Sequence, residues 1–400
     1  MTGTERRKQK ILQRRVERRA ARRAAQNKPY DDFLEVFSYE HLYNTYLKQR
    51  TKLLKTKTGQ RFCINAPLNL LHLHTTLMAG NYKCAKFAKF QITTRGKART
   101  AYVPFRPEDR IVLACLTDYA LTPVLSRTMI YDNCSGLSRR GVSFASRRAQ
   151  KHLRDHFRKH GAGGYAVVFD LKDFYQSIPR EVLYRILARR FRDQRIVGLT
   201  VQACECFGWG IGLGVGPCFS QILALAYTDR IDHYIKEKLR IKGYVRYGDD
   251  GIIIHRSKEY LKRCLARLRK LTGLMGLQFN WKKTHVIRLS HGWRWLKIRW
   301  WMDDDGKVVK KLNPEVVTHY RQKFKKLRAL LDAGETTRDY IAQLWHCWTN
   351  MTGIKHRSGS VLPFNYNCHF TRLKMADLYH NLFAVWEGCP DVLYQTACGW

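Results

Sequence analysis

Acidic residues are scarce in this 400-residue chain: 32 Asp and Glu stand against 73 Lys and Arg, a formal net charge of +41. The excess runs from the first line of the sequence to the last. A surface so charged repels itself unless a polyanion neutralises it, so lasting contact with RNA or DNA is the leading expectation, ahead of an anionic membrane surface. No run approaches the roughly 18 apolar residues of a membrane span, and the first residues lack the apolar core and cleavage site of a secretory signal. A cytoplasmic location with no membrane partner is therefore expected. Without an export signal the twelve cysteines are expected to be reduced and buried. No C-x-x-C occurs, and the close pair Cys204 and Cys206 in "ACECFG" has no second pair to complete a structural zinc site. Repeats of fixed period are also missing.

What is present can bury a core. With 45% hydrophobic residues the chain suits one large core or two to three sub-domains around a shared cleft. The opening "TERRKQKILQRRVERRAARRAAQNK", rich in Arg and Ala, can be helical with positive charge on most of its circumference. Residues 1–29 are read as a basic arm in which Arg14, Arg15, Arg18 and Arg22 lie along phosphates. From Tyr30 the pattern is mainly helical. Then "AKFQITTRGKARTAYVPF" alternates around a turn at Gly96 and reads as a hairpin with Arg95, Lys97 and Arg99 near its tip. A basic helix ended by Gly161 follows. The buried strand "YAVVFDL" comes next, then helices on either side of the glycine-rich "GWGIGLGVGPCFS". After these stand the hairpin "GYVRYGDDGIIIH", an amphipathic helix, and a strand in "LQFNWKKTHVIRL". An aromatic hairpin, "GWRWLKIRWWMDDDGKVVKKL", is expected to turn at Asp305 and Gly306, and the remainder is helical. The order between Gly163 and Leu289 is strand, helix, helix, hairpin, helix, strand. That is an α+β arrangement of the β-α-β-β-α-β kind.

Asp170 ends a strand apolar on both faces, and Asp249 and Asp250 sit at the bend of a hairpin about eighty residues later. If the two strands share a sheet, three carboxylates meet at one edge, the number of anionic oxygens that two divalent ions about 3.5–4 Å apart require. Carboxylates with open water positions suit Mg²⁺. Each element alone has a plain alternative: G-D-D-G as an ordinary turn, and a lone Asp as a cap. Their joint occurrence in this order, on so basic a chain, points to nucleotidyl transfer.

As a set these segments resemble the motifs of prokaryotic reverse transcriptases of the group II intron lineage. "FDLKDFYQSI" looks like motif A, "GLGVGPCFSQILA" like motif B, "RYGDDGIII" like motif C, "LQFNWKKT" like motif D and "GWRWLKI" like the primer-grip motif E. "LMAGNYKCAKFAKF", "GKARTAYVPF" and "PEDRIVLACL" are similar to finger segments, so the resemblance covers roughly residues 60 to 300. It implies a right-handed polymerase fold, with fingers over 30–162, a ferredoxin-like palm over 163–290, a primer-grip hairpin over 291–312 and a helical thumb over 313–400. It also implies that Asp170, Asp249 and Asp250 bind two Mg²⁺ ions. Lys97 and Arg99 would hold the incoming triphosphate, and Arg110 would either touch substrate or pair with Asp109. Lys283 would serve the pyrophosphate or face phosphate at the surface. Trp295 and Lys297 of the aromatic hairpin would contact nucleic acid, one face of that hairpin packing and the other stacking on primer.

"YGDD" with Gly248 is also characteristic of RNA-dependent RNA polymerases, and by itself leaves the product open. Tyr175, five residues after Asp170, decides for DNA, since its ring would collide with a ribose 2′-hydroxyl. In motif B, Val215 precedes Gly216 where Gln is usual, and Gln221 replaces Pro. The pattern "VGPCFSQ" resembles diversity-generating retroelement enzymes, which copy a dedicated template RNA with errors at adenines. Defence-associated bacterial reverse transcriptases share such departures, and that role stays open, as do an RNA-dependent RNA polymerase and a non-catalytic RNA-binding palm. The partners implied are dNTPs, a structured non-coding template RNA, its RNA/DNA duplex product and an accessory protein.

Overall fold

A computed structural model describes residue 13 and residues 28–94, 97–208 and 210–351. The arm carrying Arg14, Arg15, Arg18 and Arg22, the turn at Gly96 and the chain beyond 351 lie outside the described residues. The chain divides into two compact units: one reaches to His291 and takes in Met302–Lys307, and the other comprises Gly292–Trp301 and the chain from Val308.

The first unit begins with helices α1 (Tyr39–Leu53), α2 (Lys57–Ile64) and α3 (Ala66–Met78). Ser38 and Thr56 cap the first two, accepting from the backbone N–H of His41 and Gly59. Strands β1 (Ala88–Thr94) and β2 (Lys97–Val103) form the expected antiparallel hairpin, pairing Thr94 with Lys97 and Ile92 with Arg99. Helix α4 (Pro107–Leu116) is buried around most of its circumference, and the basic helix α5 (Val142–His160) ends at Gly161 with φ +70°.

The sheet that follows is antiparallel. Strand β3 (Tyr165–Lys172) is succeeded by α6 (Arg180–Arg190), α7 (Gln194–Glu205) and α8 (Cys218–His233), then by β4 (Gly243–Tyr247), β5 (Asp250–His255) and α9 (Lys258–Leu274). The segment read as one last strand is broken into β6 (Gln278–Phe279) and β7 (His285–Arg288), both paired with β3. The order is β4-β5-β3 with β7 on the far side of β3. This is the arrangement a β-α-β-β-α-β chain takes when its first and third strands lie side by side. Strand β3 is central and so apolar on both faces, with Ala166 and Val168 buried on one side and Val167 and Phe169 on the other. One apolar core extends from Phe33 through α4 and α8 to Phe279.

A three-stranded meander, β8 (Trp293–Trp295), β9 (Ile298–Met302) and β10 (Val308–Leu312), belongs to the second unit except for Met302, and α10 (Pro314–Asp332) and α11 (Arg338–Met351) follow. The expected turn at Asp305 and Gly306 joins β9 to β10, with Gly306 at φ +76°. An unexpected tighter turn joins β8 to β9 through Leu296 and Lys297, at φ +51° and +66°. Both central residues of a two-residue hairpin turn take positive φ when it follows the strand twist, and neither Leu nor Lys signals that in a sequence.

Candidate active site

The β3–β5 ladder sets Asp170 directly opposite Asp250. Asp249 precedes Asp250 in the turn, and its carbonyl accepts from the Leu171 N–H at 3.1 Å, so the turn is stitched to β3 on both sides of Asp170. Gly248 enters this turn at φ +64°, and a Cβ there would meet nothing nearer than Ser135 Oγ at 3.9 Å. Backbone conformation, rather than crowding, accounts for the glycine.

Asp170 is 5% exposed, yet both its oxygens are engaged: Oδ1 accepts from Lys283 Nζ at 2.9 Å and Oδ2 from Asn280 Nδ2 at 3.0 Å. Those donors come from the turn between β6 and β7, where the expected single strand is interrupted. Burial raises the pKa of Asp249, and the charge of Asp170 adds to it, while Lys283 and Arg99 pull the other way. Asp250 is pushed up to about 7, first by burial and then by Asp249 and Asp170. Burial lowers the affinity of Lys283 for its proton, but the hydrogen bond to Asp170 and the three carboxylates outweigh it, and the ammonium is held. Three carboxyl groups are thus forced together with few cations to balance them, an arrangement that favours a bound divalent ion.

Among the described residues no group of three or more His, Cys, Asp or Glu side chains forms a ready-made metal cage. The carboxylates fit such ions by charge and hard oxygen donors.

Tyr175 is half-buried beside this cluster. Burial and then the charge of Asp249 push its phenol up to about 12, so it is neutral at physiological pH. Its carbonyl accepts from Leu213 N–H at 2.7 Å, which lays the glycine-rich loop on the turn after β3. Farther along that loop, the Val215 carbonyl accepts from Tyr102 N–H at 2.8 Å. Gly216 has φ +130°, and a Cβ there would collide with the Tyr102 carbonyl oxygen. The finger hairpin and motif B are therefore in backbone contact, which Gly216 permits. Gln221 is exposed at the end of the first turn of α8. Arg99 lies exposed on β2 and acts on Asp249 electrostatically; Lys97 is placed by its backbone, opposite Thr94.

Two expectations need correction. Arg110 does not pair with Asp109: its Nε donates to the Pro104 carbonyl at 2.9 Å. Asp109 is instead held by Arg106 at 2.8 and 3.0 Å and by Tyr82 Oη at 2.5 Å, since the i,i+3 spacing brings Arg106 to the same side of the turn. Trp295 is not a nucleic-acid contact but 2% exposed, in one buried group with Trp293 (2%) and Trp300 (0%). Lys297 is exposed in the tight turn between β8 and β9.

Other residues at the site carried no sequence signal strong enough to be singled out. Asn280 is one. Arg246 and Asp232 form a fully buried ion pair directly beneath the Gly248–Asp250 turn. Asp132, 5% exposed, collects Arg148 at 2.6 Å, Lys236 at 2.8 Å and His152 at 3.1 Å. Burial alone would raise its pKa, but these hydrogen bonds reverse that and depress it strongly.

The family model described as reverse transcriptase (RNA-dependent DNA polymerase) matches residues 105–329, more than half of the chain and all of the strands just described from β3 to β10. The chain belongs to that family, and its α+β sheet with opposed carboxylates is the palm of a right-handed polymerase fold. Among solved structures it is similar to a telomerase from Candida albicans in complex with the TWJ fragment of telomeric RNA, at 13% identity and TM-score 0.47, over 59% of this chain and 48% of that one. It is likewise similar to an apo telomerase from Candida tropicalis truncated from its C-terminal domain, at 16% identity and TM-score 0.44, over 56% and 55%. The chain spans about half the length of these structures. No curated protein matches its sequence.

Proposed function

We propose that the protein is an RNA-directed DNA polymerase that copies a dedicated, structured non-coding RNA into cDNA, as in diversity-generating retroelements. The observation that carries the catalytic part of this reading is the pairing of Asp170 with Asp250 across the β3–β5 ladder, with Asp249 in the adjoining turn. Reverse transcriptases use divalent metal ions, and here Asp170, Asp249 and Asp250 would hold two Mg²⁺. Bound there, the ions would activate the primer 3′-hydroxyl and stabilise the departing pyrophosphate. Lys97 and Arg99, on the strand laid against Val215, hold the triphosphate. Lys283 moves from Asp170 to the pyrophosphate. Tyr175 excludes the ribose 2′-hydroxyl and selects dNTPs.

The diversification role rests on "VGPCFSQ". With Val215 in place of a polar side chain, the nucleotide loses one hydrogen bond that would position it, which favours misincorporation. The cytoplasmic location, an accessory protein and nucleic-acid contacts along the basic arm belong to this same reading.

The test is to purify the protein with its nucleic acid and sequence both RNA and cDNA, then to supply Mg²⁺ with dNTPs or rNTPs on an RNA template. Templated cDNA with changes at adenines supports the proposal. Repetitive or non-templated cDNA would move the role to antiphage defence, and preferential rNTP use would make the protein an RNA polymerase. RNA binding with no synthesis would leave a non-catalytic palm.

A further inference from the structure

The charged residue most deeply buried near the carboxylates is a cation that the chemistry above does not use. Arg246, on β4, is 0% exposed, and so is Asp232, near the end of α8. Their contact is bidentate: Nε donates to Oδ1 and Nη2 to Oδ2, each at 2.7 Å. Tyr244 Oη also donates to Oδ1, at 2.7 Å. This leaves Nη1, which turns back along its own chain and donates to the Gly248 carbonyl at 2.9 Å. The backbone of Arg246 is pinned from its other side, its N–H donating to the Asp132 carbonyl at 3.0 Å and its carbonyl accepting from Cys134 N–H at 2.8 Å.

A buried guanidinium that served only to neutralise Asp232 would need two of its nitrogens. The third is spent on the one glycine whose positive φ starts the turn carrying Asp249 and Asp250. That turn bears two carboxylates that repel each other and Asp170, so it is driven to open and its backbone is soft at Gly248. A planar, permanently charged donor fork fixed at its far end is suited to hold it closed.

We propose that Arg246, oriented by Asp232, is a positioning residue that holds the Gly248 carbonyl and thereby presents Asp249 and Asp250 to the catalytic ions. Outer partners of metal-binding carboxylates typically change metal affinity or activity by about 10–100-fold. Because Asp232 belongs to α8, the helix that begins within motif B, the clamp also joins the nucleotide-binding loop's helix to the catalytic turn. The inference rests on the polymerase reading.

The experiment uses the full chain and three variants. Arg246→Lys keeps a positive charge for Asp232 but cannot reach both partners. Asp232→Asn keeps the shape and loses the charge that orients the fork. Tyr244→Phe removes one hydrogen bond to Asp232 and leaves the arm to Gly248 in place. Two quantities are read: the Mg²⁺ concentration giving half of the metal-induced shift in melting temperature without nucleotide, and kcat and KM for dNTP in primer extension. For Arg246→Lys the expected result is about a tenfold or greater rise in half-saturating Mg²⁺ and about a 10–100-fold fall in kcat, with KM within threefold. Tyr244→Phe should melt earlier with half-saturating Mg²⁺ unchanged within twofold.

The proposal is overturned if Arg246→Lys lowers the melting temperature but moves neither Mg²⁺ half-saturation nor kcat beyond what Tyr244→Phe does. Should Arg246→Lys not fold, Asp232→Asn is judged by the same two quantities, and no change there overturns it equally. Unaltered protein that extends no primer would instead sink the polymerase reading, while its Mg²⁺ titration still tests the clamp.

Discussion

The carboxylates around the β4–β5 turn and the tryptophans of the β8–β9 hairpin are both clusters of one residue type set on short antiparallel strands. Each stands out in the sequence, and each invites a functional reading. The physics separates them. Asp249 and Asp250 are held partly buried at a cost, in an environment that raises the pKa of each. Trp293, Trp295 and Trp300 are buried because a large apolar surface gains from leaving water, and each indole contributes a substantial part of its unit's core. A costly cluster implies a ligand that repays it, while a favourable one implies only a core.

The largest expected effect follows from that contrast. Asp249→Asn together with Asp250→Asn should reduce primer extension by roughly 10³–10⁴-fold, about 4–5.5 kcal/mol of transition-state stabilisation. Denaturation of the metal-free protein should at the same time show stability unchanged or improved, because a repulsive pair has been neutralised. A variant that loses both activity and fold would place these carboxylates in the structural class with the tryptophans.

Trp300→Ala tests the other side. Removing a side chain that is 0% exposed should cost about 3–5 kcal/mol in denaturant unfolding. Trp301, on the opposite face of β9 and partly exposed, should cost less than about 1.5 kcal/mol when changed to Ala. If Trp300→Ala kept its stability and lost affinity for template–primer, the tryptophans would have to be reclassified as a binding surface.

Much of this was legible in the sequence, for a definite reason. The palm order could be read because its strands are continuous apolar runs separated by turn residues, while the register that sets Asp170 opposite Asp250 comes from the structure. At Trp295 the expected nucleic-acid contact gives way to burial, although the sequence pattern contains the reason. Trp293 and Trp295 are two apart and so share a face, and the register places Trp300 opposite Trp293, so these three form one buried side. What could not be read was the turn at Leu296–Lys297, whose residues do not advertise positive φ, and the Asp232–Arg246 pair. A buried Arg looks like a surface Arg in a chain with 73 Lys and Arg. Its position becomes evident only when α8 and β4 are packed together.

A smaller effect is expected at Tyr175, which borders the costly cluster without belonging to it. Tyr175→Ala should increase ribonucleotide use relative to deoxynucleotide by about 10–100-fold, the range available to removal of a single steric block, measured as the ratio of kcat/KM for rNTP and dNTP. Unchanged discrimination would leave Tyr175 as a core residue and return product identity to the ambiguity of the Gly-Asp-Asp motif.

The smallest effect is graded rather than all-or-none, and it concerns the proton that competes with the metal. Asp250 titrates near 7 in the folded, metal-free chain and at an ordinary carboxylate value when unfolded, so the folded state binds this proton more tightly. Its contribution therefore favours the fold at low pH and is progressively lost as pH rises from about 4 to about 7, with no further change above. A cation that needs the ionised form must displace the proton. Half-saturating Mg²⁺, followed by thermal shift, should then fall by about tenfold per pH unit below 7 and level off above it. Asp250→Asn should flatten both curves, the stability loss between pH 4 and 7 and the pH dependence of whatever weak Mg²⁺ binding remains. A wild-type Mg²⁺ titration that is flat from pH 5.5 to 8 would show that the carboxylates do not carry a strained proton at all, and the contrast with the tryptophan cluster would lose its energetic basis.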